Sequence, residues 1–254
     1  MSIKTATLKG VATIEMARPQ KKNALTTEMY AAMAVALKAA DADAAVRAVL
    51  IVGQPGVFTS GNDIDDFMNR PPATLDAPLF DFMRALVGCA KPVVAAVTGA
   101  AIGIGTTMLL HCDLVYVSDE ARLAMPFASL GLVPEFASSL IMPVLVGHAQ
   151  AAEKLLLGDP FTAEDAVEMR IANAVLPAGE VARHARRMAE RFNSLPPGAV
   201  RESKRLMRRA SQAAVLEAID AEAEVFRLRL SSPEATEAFS AFFQKRKPDF
   251  SAFG

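Results

Sequence analysis

Apolar and polar positions alternate along Ala6-Thr7-Leu8 and again along Val11-Ala12-Thr13-Ile14-Glu15-Met16, with Lys9-Gly10 between them. This predicts a β-hairpin at the start of the chain. The period then changes. Met29, Met33 and Leu37 recur at helical spacing behind Thr26, a capping residue type, and predict a helix from about Thr27 to Ala42. Val46–Val52, apolar apart from Arg47, reads as a buried strand. Pro55-Gly56 turns the chain, and Val57 to Phe67 reads as strand, glycine turn and helix start. Asn69–Ala77 is a loop, Leu79–Val87 a helix with one apolar face, and Pro92–Val97 a second buried strand. Gly99, Gly103 and Gly105 follow as a loop, and Thr106–Leu110 starts a buried helix.

Leu114–Val117 and Arg122–Ala124 read as short strands, and Met125–Pro134 as an irregular apolar loop. From about Phe136 onward the pattern is helical, broken at Gly147, Asp159-Pro160, Pro177-Ala178-Gly179, Pro196-Pro197-Gly198 and Ser232-Pro233. Strands alternating with helices, then helices alone, predict an α/β core with a C-terminal helical region.

Composition supports one large domain, or a domain with a helical appendage: 254 residues, 52% apolar and 22% charged. A formal net charge of −1 gives no whole-molecule attraction to nucleic acid or an anionic membrane, so any anionic ligand must be met by local charges. Uncharged Val93–Leu110 just reaches the length of a membrane span of roughly 18–20 residues, but glycines and threonines interrupt it. Cys89 and Cys112 lie in apolar surroundings without metal spacing and read as reduced thiols. No leader is expected at Met1-Ser2-Ile3-Lys4 and no targeting signal at Ser251-Ala252-Phe253-Gly254, which makes the cytoplasm the expected location.

Candidate chemistry concentrates in two places. A glycine loop running into a helix start leaves backbone N–H groups free, and such groups facing a cleft can hold a developing oxyanion. Glu135, after the apolar loop, reads equally as a helix-start acid behind Pro134 and as a general base whose apolar neighbours raise its pKa. Arg18, Lys21 and Lys22 form either a solvated turn or a phosphate-binding corner. Asp63, Asp65 and Asp66 read as acids of a first helical turn rather than a metal site. Met108 stands where a dinucleotide fingerprint would need its third glycine. His111, His148 and His184 lack a nucleophile motif beside them and read as structural or surface residues, and Lys245-Arg246-Lys247 reads as a solvated helix end.

Phe58-Thr59-Ser60-Gly61-Asn62-Asp63-Ile64, Thr98 to Gly105, Cys112-Asp113 and Pro126 to Glu135, in this order, resemble the crotonase (enoyl-CoA hydratase/isomerase) superfamily. The likeness extends to Arg18…Asn23-Ala24-Leu25 and to the closing Phe239…Phe250 stretch. It implies an α/β, crotonase-like spiral of ββα repeats over 1–195, a C-terminal helical trimerisation region over 196–254, and a homotrimer or dimer of trimers. The implied ligand is an acyl-CoA thioester, with no metal and no further cofactor because CoA is part of the substrate. The implied oxyanion donors are the N–H groups of Asn62 and Ile104. Ser60, Gly61, Asn62, Asp63 and Ile64 would border CoA, and Lys22 in the basic loop could meet its phosphates.

Family hydratases carry two glutamates, and at the matching positions this chain has Thr107 and Phe127, which disfavours the two-carboxylate addition of water. Glu135 stands where the Δ3,Δ2-enoyl-CoA isomerases of the family carry their single glutamate. The expectation is therefore an isomerase with Glu135 as sole acid/base. The alternatives are another acyl-CoA reaction, such as hydration or thioester hydrolysis, and an acyl-CoA binding protein without turnover.

Overall fold

The computed structural model describes residues 2–253; Met1 and Gly254, which enter the expectations about leader and targeting signals, lie outside the described residues. The strands are β1 (Ile3–Leu8), β2 (Val11–Met16), β3 (Ala48–Val52), β4 (Val57–Thr59), β5 (Val93–Val97), β6 (Ala100–Ile102), β7 (Leu114–Ser118), β8 (Arg122–Ala124), β9 (Phe161–Thr162) and β10 (Ala174–Leu176). They form a six-stranded sheet in the order β1-β2-β3-β5-β7-β10 and a four-stranded sheet in the order β4-β6-β8-β9. Three times in succession the chain lays one strand into the large sheet and the next into the small one: β3 then β4, β5 then β6, β7 then β8. Helices follow in each case, which is the spiral of ββα repeats expected from the sequence.

The helices are α1 (Thr27–Ala42), α2 (Ile64–Asn69), α3 (Pro78–Gly88), α4 (Ile104–Thr107), α5 (Ser138–Val146), α6 (His148–Ala152), α7 (Ala163–Glu168), α8 (Val181–Glu190), α9 (Pro197–Arg208), α10 (Gln212–Leu230) and α11 (Pro233–Gln244). The Thr26 hydroxyl caps α1 by accepting from Met29 N–H.

The central parallel strands β3 and β5 are apolar throughout because both faces are covered. Val49 and Ile51 of β3 and Val93, Ala95 and Val97 of β5 face the main core. Their alternating neighbours Ala48, Leu50, Val94 and Ala96 face a smaller core closed by Val181, Ala185 and Ala189 of α8. Val215, Ile219, Ala223 and Phe226 of α10 join the main core, so this C-terminal helix packs directly on the α/β body.

Two sequence expectations change. The glycine stretch is not all loop: Ala100–Ile102 forms β6, paired with β4 and β8, and the helix behind it starts at Ile104. The chain beyond Phe136 is not wholly helical, since β9 and β10 lie within it. Both strands are two or three residues long and sit at sheet edges, too short to leave a period in the sequence.

Asp113 joins the C-terminal helices to the core. Its carboxylate accepts from Val93 N–H at 2.7 Å, from Lys204 Nζ at 2.6 Å and from Arg208 Nη2 at 3.0 Å. Lys204, 7% exposed, also donates to the Lys91 carbonyl. Lys204→Ala therefore lowers unfolding free energy by about 2–3 kcal/mol, less than for a fully enclosed pair because Asp113 is partly exposed. The urea midpoint measures this, and an unchanged midpoint would show that water replaces the lysine at no cost.

Candidate active site

The site begins where the small sheet meets two glycine turns. Gly61, after β4, has φ +90°, and a Cβ there would stand 2.9 Å from the Ile102 carbonyl oxygen. Gly103, after β6, has φ +57° with ψ −120°, a conformation open only to glycine. The two turns therefore pass against each other at backbone distance. Ser60 N–H donates to the Lys22 carbonyl, Leu25 N–H to Gly61, and Asp63 N–H to Leu25, which pins the first turn from the other side.

Asn62 N–H and Ile104 N–H find no acceptor among the loop, turn and side-chain hydrogen bonds of the described residues. Ile104 opens α4, where the first N–H groups have no intrahelical partner. Ser60, Gly61, Asn62 and Ile64 line one side of a cavity of about 80 Å³, Ile102 and Gly103 another, and Phe67, Phe127, Leu132, Phe226 and Phe239 its apolar walls.

The remaining residues singled out in the sequence fall as follows. Arg18 Nη1 donates to Asp63 Oδ2 at 2.5 Å and to the Ala24 carbonyl, so its guanidinium is engaged within the fold. That ion pair holds the Asp63 carboxyl below its ordinary value even against the rise from partial burial, and Asp63 also caps α2. Lys21 and Lys22 stay exposed beside the 60–63 turn. Asp66 accepts from both the N–H and the hydroxyl of Thr27 and pairs with Arg70. No group of three His, Cys, Asp or Glu side chains placed to hold a metal ion occurs among the described residues. Thr107 is buried with its hydroxyl unpartnered, and the Phe127 ring lies over Gly103.

Glu135 does not open a helix. It is 3% exposed in the loop before α5, and neither carboxylate oxygen has a hydrogen-bond partner. Burial pushes its pKa up to about 8; the charge of Glu222 adds to the rise, and the nearby Asn62 amide offsets part of it without closing a hydrogen bond. Glu135 does not line the cavity as it stands; it lies beside the Asn62 side chain, and Asn62 is one of the lining residues.

Phe136 and Ala137 follow with φ +61° and +57°, left-handed conformations costing about 1 kcal/mol or more in residues other than glycine. Three contacts hold them. His111 Nε2 lies 2.7 Å from the Phe136 carbonyl and its ring stacks on Phe136 at 4.1 Å. Burial drops the His111 pKa to about 4, so the imidazole is neutral with its proton on Nε2. Glu222 of α10 accepts from Ala137 N–H at 2.6 Å and Ser139 N–H at 2.9 Å. Ser138 Oγ donates back to the Glu135 carbonyl.

Two residues of this site escape the sequence reading. Tyr30 donates its hydroxyl to Asn62 Oδ1, and its clue is scarcity, as one of two tyrosines in the chain. Glu222 sits among other acids on α10 and carries no such signal. His111 has the structural part its sequence reading gives it, holding the loop that carries Glu135.

The chain matches the sequence model of the family described as "Enoyl-CoA hydratase/isomerase" over residues 6–252. The solved structure of Pseudomonas aeruginosa OdaA is 53% identical, with a TM-score of 0.93 over 95% of this chain and 98% of that one. A crystal structure of an enoyl-CoA hydratase/isomerase from Pseudoalteromonas atlantica is 39% identical, with a TM-score of 0.94 over 99% of this chain and 100% of that one. Human enoyl-CoA delta isomerase 2 is 36% identical over 245 residues, 93% of this chain; the chain spans 62% of that protein's length. With two glycine turns, two unpartnered N–H groups and the family match over nearly its whole length, the chain belongs to the enoyl-CoA hydratase/isomerase family.

Proposed function

We propose that this protein is a Δ3,Δ2-enoyl-CoA isomerase that moves the double bond of a 3-enoyl thioester into conjugation. The observation that carries the reading is Glu135: one buried carboxylate with both oxygens unpartnered and a pKa raised to about 8. Thr107 and Phe127 stand where a second acid would be needed for the two-carboxylate addition of water. In the proposed reaction Glu135 removes a proton from C2, and the charge that spreads onto the thioester oxygen is held by Asn62 N–H and Ile104 N–H. The same carboxyl returns the proton to C4. An apolar, water-poor surrounding keeps that proton from exchanging in transit.

The CoA portion would lie along Ser60 to Ile64, where Lys21 and Lys22 are the exposed cations closest in sequence to the turn that pins this stretch. The acyl group must widen the cavity toward Glu135 as it enters, because the carboxylate is enclosed and does not line the cavity. Leu140 and Val144 on one face of α5, with Leu156 and Leu157 after α6, expose apolar surface of the kind a homotrimer or a dimer of trimers would cover. No step in this scheme passes through a metal or a redox group.

The test is the absorbance of the conjugated enoyl thioester after mixing protein with a 3-enoyl-CoA. Its appearance supports the reading. A 3-hydroxyacyl-CoA as main product from a 2-enoyl-CoA would replace isomerisation with hydration.

Gly61→Ala tests the oxyanion arrangement. A Cβ at φ +90° and 2.9 Å from the Ile102 carbonyl forces the turn away and moves Asn62 N–H, so kcat falls by about 100-fold. Gly56→Ala, at φ +78° with nothing near its Cβ, carries similar backbone strain without the collision and keeps its turnover. Equal loss in both variants would assign the effect to strain alone.

A further inference from the structure

We propose that Glu222, projecting from α10, is a positioning residue that aims Glu135 into the site by holding the left-handed turn Phe136–Ala137. Its Oε2 accepts from Ala137 N–H, and its Oε1 accepts from Ser139 N–H and from the Ser139 hydroxyl. These groups belong to the two-residue turn and the first turn of α5, immediately downstream of Glu135. A turn with two consecutive non-glycine residues at positive φ persists only where its surroundings hold it. Here the holding groups are the Glu222 carboxylate on the N–H side and His111 on the Phe136 carbonyl. Ser138 and Ser139 act within the segment, but Glu222 comes from the C-terminal helical region, 8% exposed. The helix that packs on the core thus also sets the direction of the catalytic loop.

The charge of Glu222 matters besides its hydrogen bonds. The groups facing Glu135 are Glu222 from α10, Tyr30 from α1 and the uncharged Asn62 side chain; Asp66 acts on Tyr30, and His111 is neutral. Two carboxyls in one buried site resist being ionised together. Glu222 receives three donors, which oppose the rise that burial causes in its pKa, whereas Glu135 receives none. Burial alone raises Glu135 most, so Glu222 adds a part of the shift.

This inference rests on Glu135 being the base, and the experiment separates the two. In Glu222→Gln, one acceptor oxygen and the side-chain volume remain while the charge is lost. Expected are a kcat lower by about tenfold or more, a KM within about twofold, and an acid limb of the pH profile moved down by about one unit. The protonated Glu135 carboxyl is followed in parallel without substrate, by its infrared carbonyl band, identified by its loss in Glu135→Gln. A band that titrates about one unit lower in Glu222→Gln supports the role of Glu222 even if no 3-enoyl-CoA is turned over. An unchanged kcat, band and limb overturn the inference, and so does a loss carried by KM instead of kcat. If Glu222→Gln fails to fold, Ser139→Ala removes one donor and leaves the carboxylate: kcat falls several-fold at constant KM if Glu222 positions the loop, and an unchanged kcat overturns it.

Discussion

Replacing Glu135 by glutamine lowers kcat for conversion of a 3-enoyl-CoA to its 2-enoyl isomer by about 100- to 10,000-fold, with KM little changed. The size follows from the chemistry of the step. Removal of a C2 proton needs a base at bonding distance, and an amide has no basicity to offer. The change is otherwise conservative, because the carboxylate oxygens have no hydrogen bonds to lose and glutamine fills the same volume. Asn62 N–H and Ile104 N–H remain in place, so binding of the thioester persists and the loss falls on kcat. In the wild type, kcat/KM rises with pH through about 8, since the base is active only after losing its proton. A variant that keeps pace with the wild type would mean that Glu135 is structural toward this substrate. The chain would then be another acyl-CoA enzyme of the family, or a binder.

The framework of this site is legible in the sequence because it is written in backbone requirements. Glycines at 61 and 103 mark positions only glycine occupies at those angles, and the free N–H groups beside them follow from the turn itself. Thr107 and Phe127 are informative as departures, because a carboxylate replaced by a hydroxyl or a ring removes a step of chemistry. Long-range side-chain contacts are not legible. Arg18 looks like a free cation until Asp63, far along the chain, is found against it. Glu222 looks like any acid on a solvated helix face until α10 is folded onto the loop of Glu135. Edge strands of two or three residues, such as β9 and β10, take their structure from the neighbours they pair with rather than from a period of their own.

The carboxyl proposed as the base destabilises the fold at the pH where it would work, and Glu135→Gln reveals this as a gain in stability above neutral pH. Below pH 4.5 the Glu135 carboxyl is protonated in both folded and unfolded chains, so wild type and variant have equal stability within the small difference between a buried acid and a buried amide. Between 4.5 and about 8 the folded protein holds a proton that the unfolded chain releases, and wild-type stability falls with each unit of pH. At 1.36 kcal/mol per unit, this interval amounts to about 5 kcal/mol, all of it absent from the variant. Glu222, whose pKa burial also raises, adds a slope of the same sign in both proteins, and because it is coupled to Glu135 the difference between the two curves reports Glu135 together with that coupling. Asp63, whose pKa is lowered, contributes in the opposite direction, losing stability as the pH falls through its folded value, and again equally in both. At pH 9 the variant should melt roughly 10 °C or more above the wild type, and at pH 4.5 the two midpoints should coincide. Parallel curves across the whole range would show that water reaches the Glu135 carboxylate, and with it the raised pKa and the single-base mechanism would lose their support. Divergence of the expected sign would mean that the fold tolerates an unpartnered acid at its centre because the reaction requires one there.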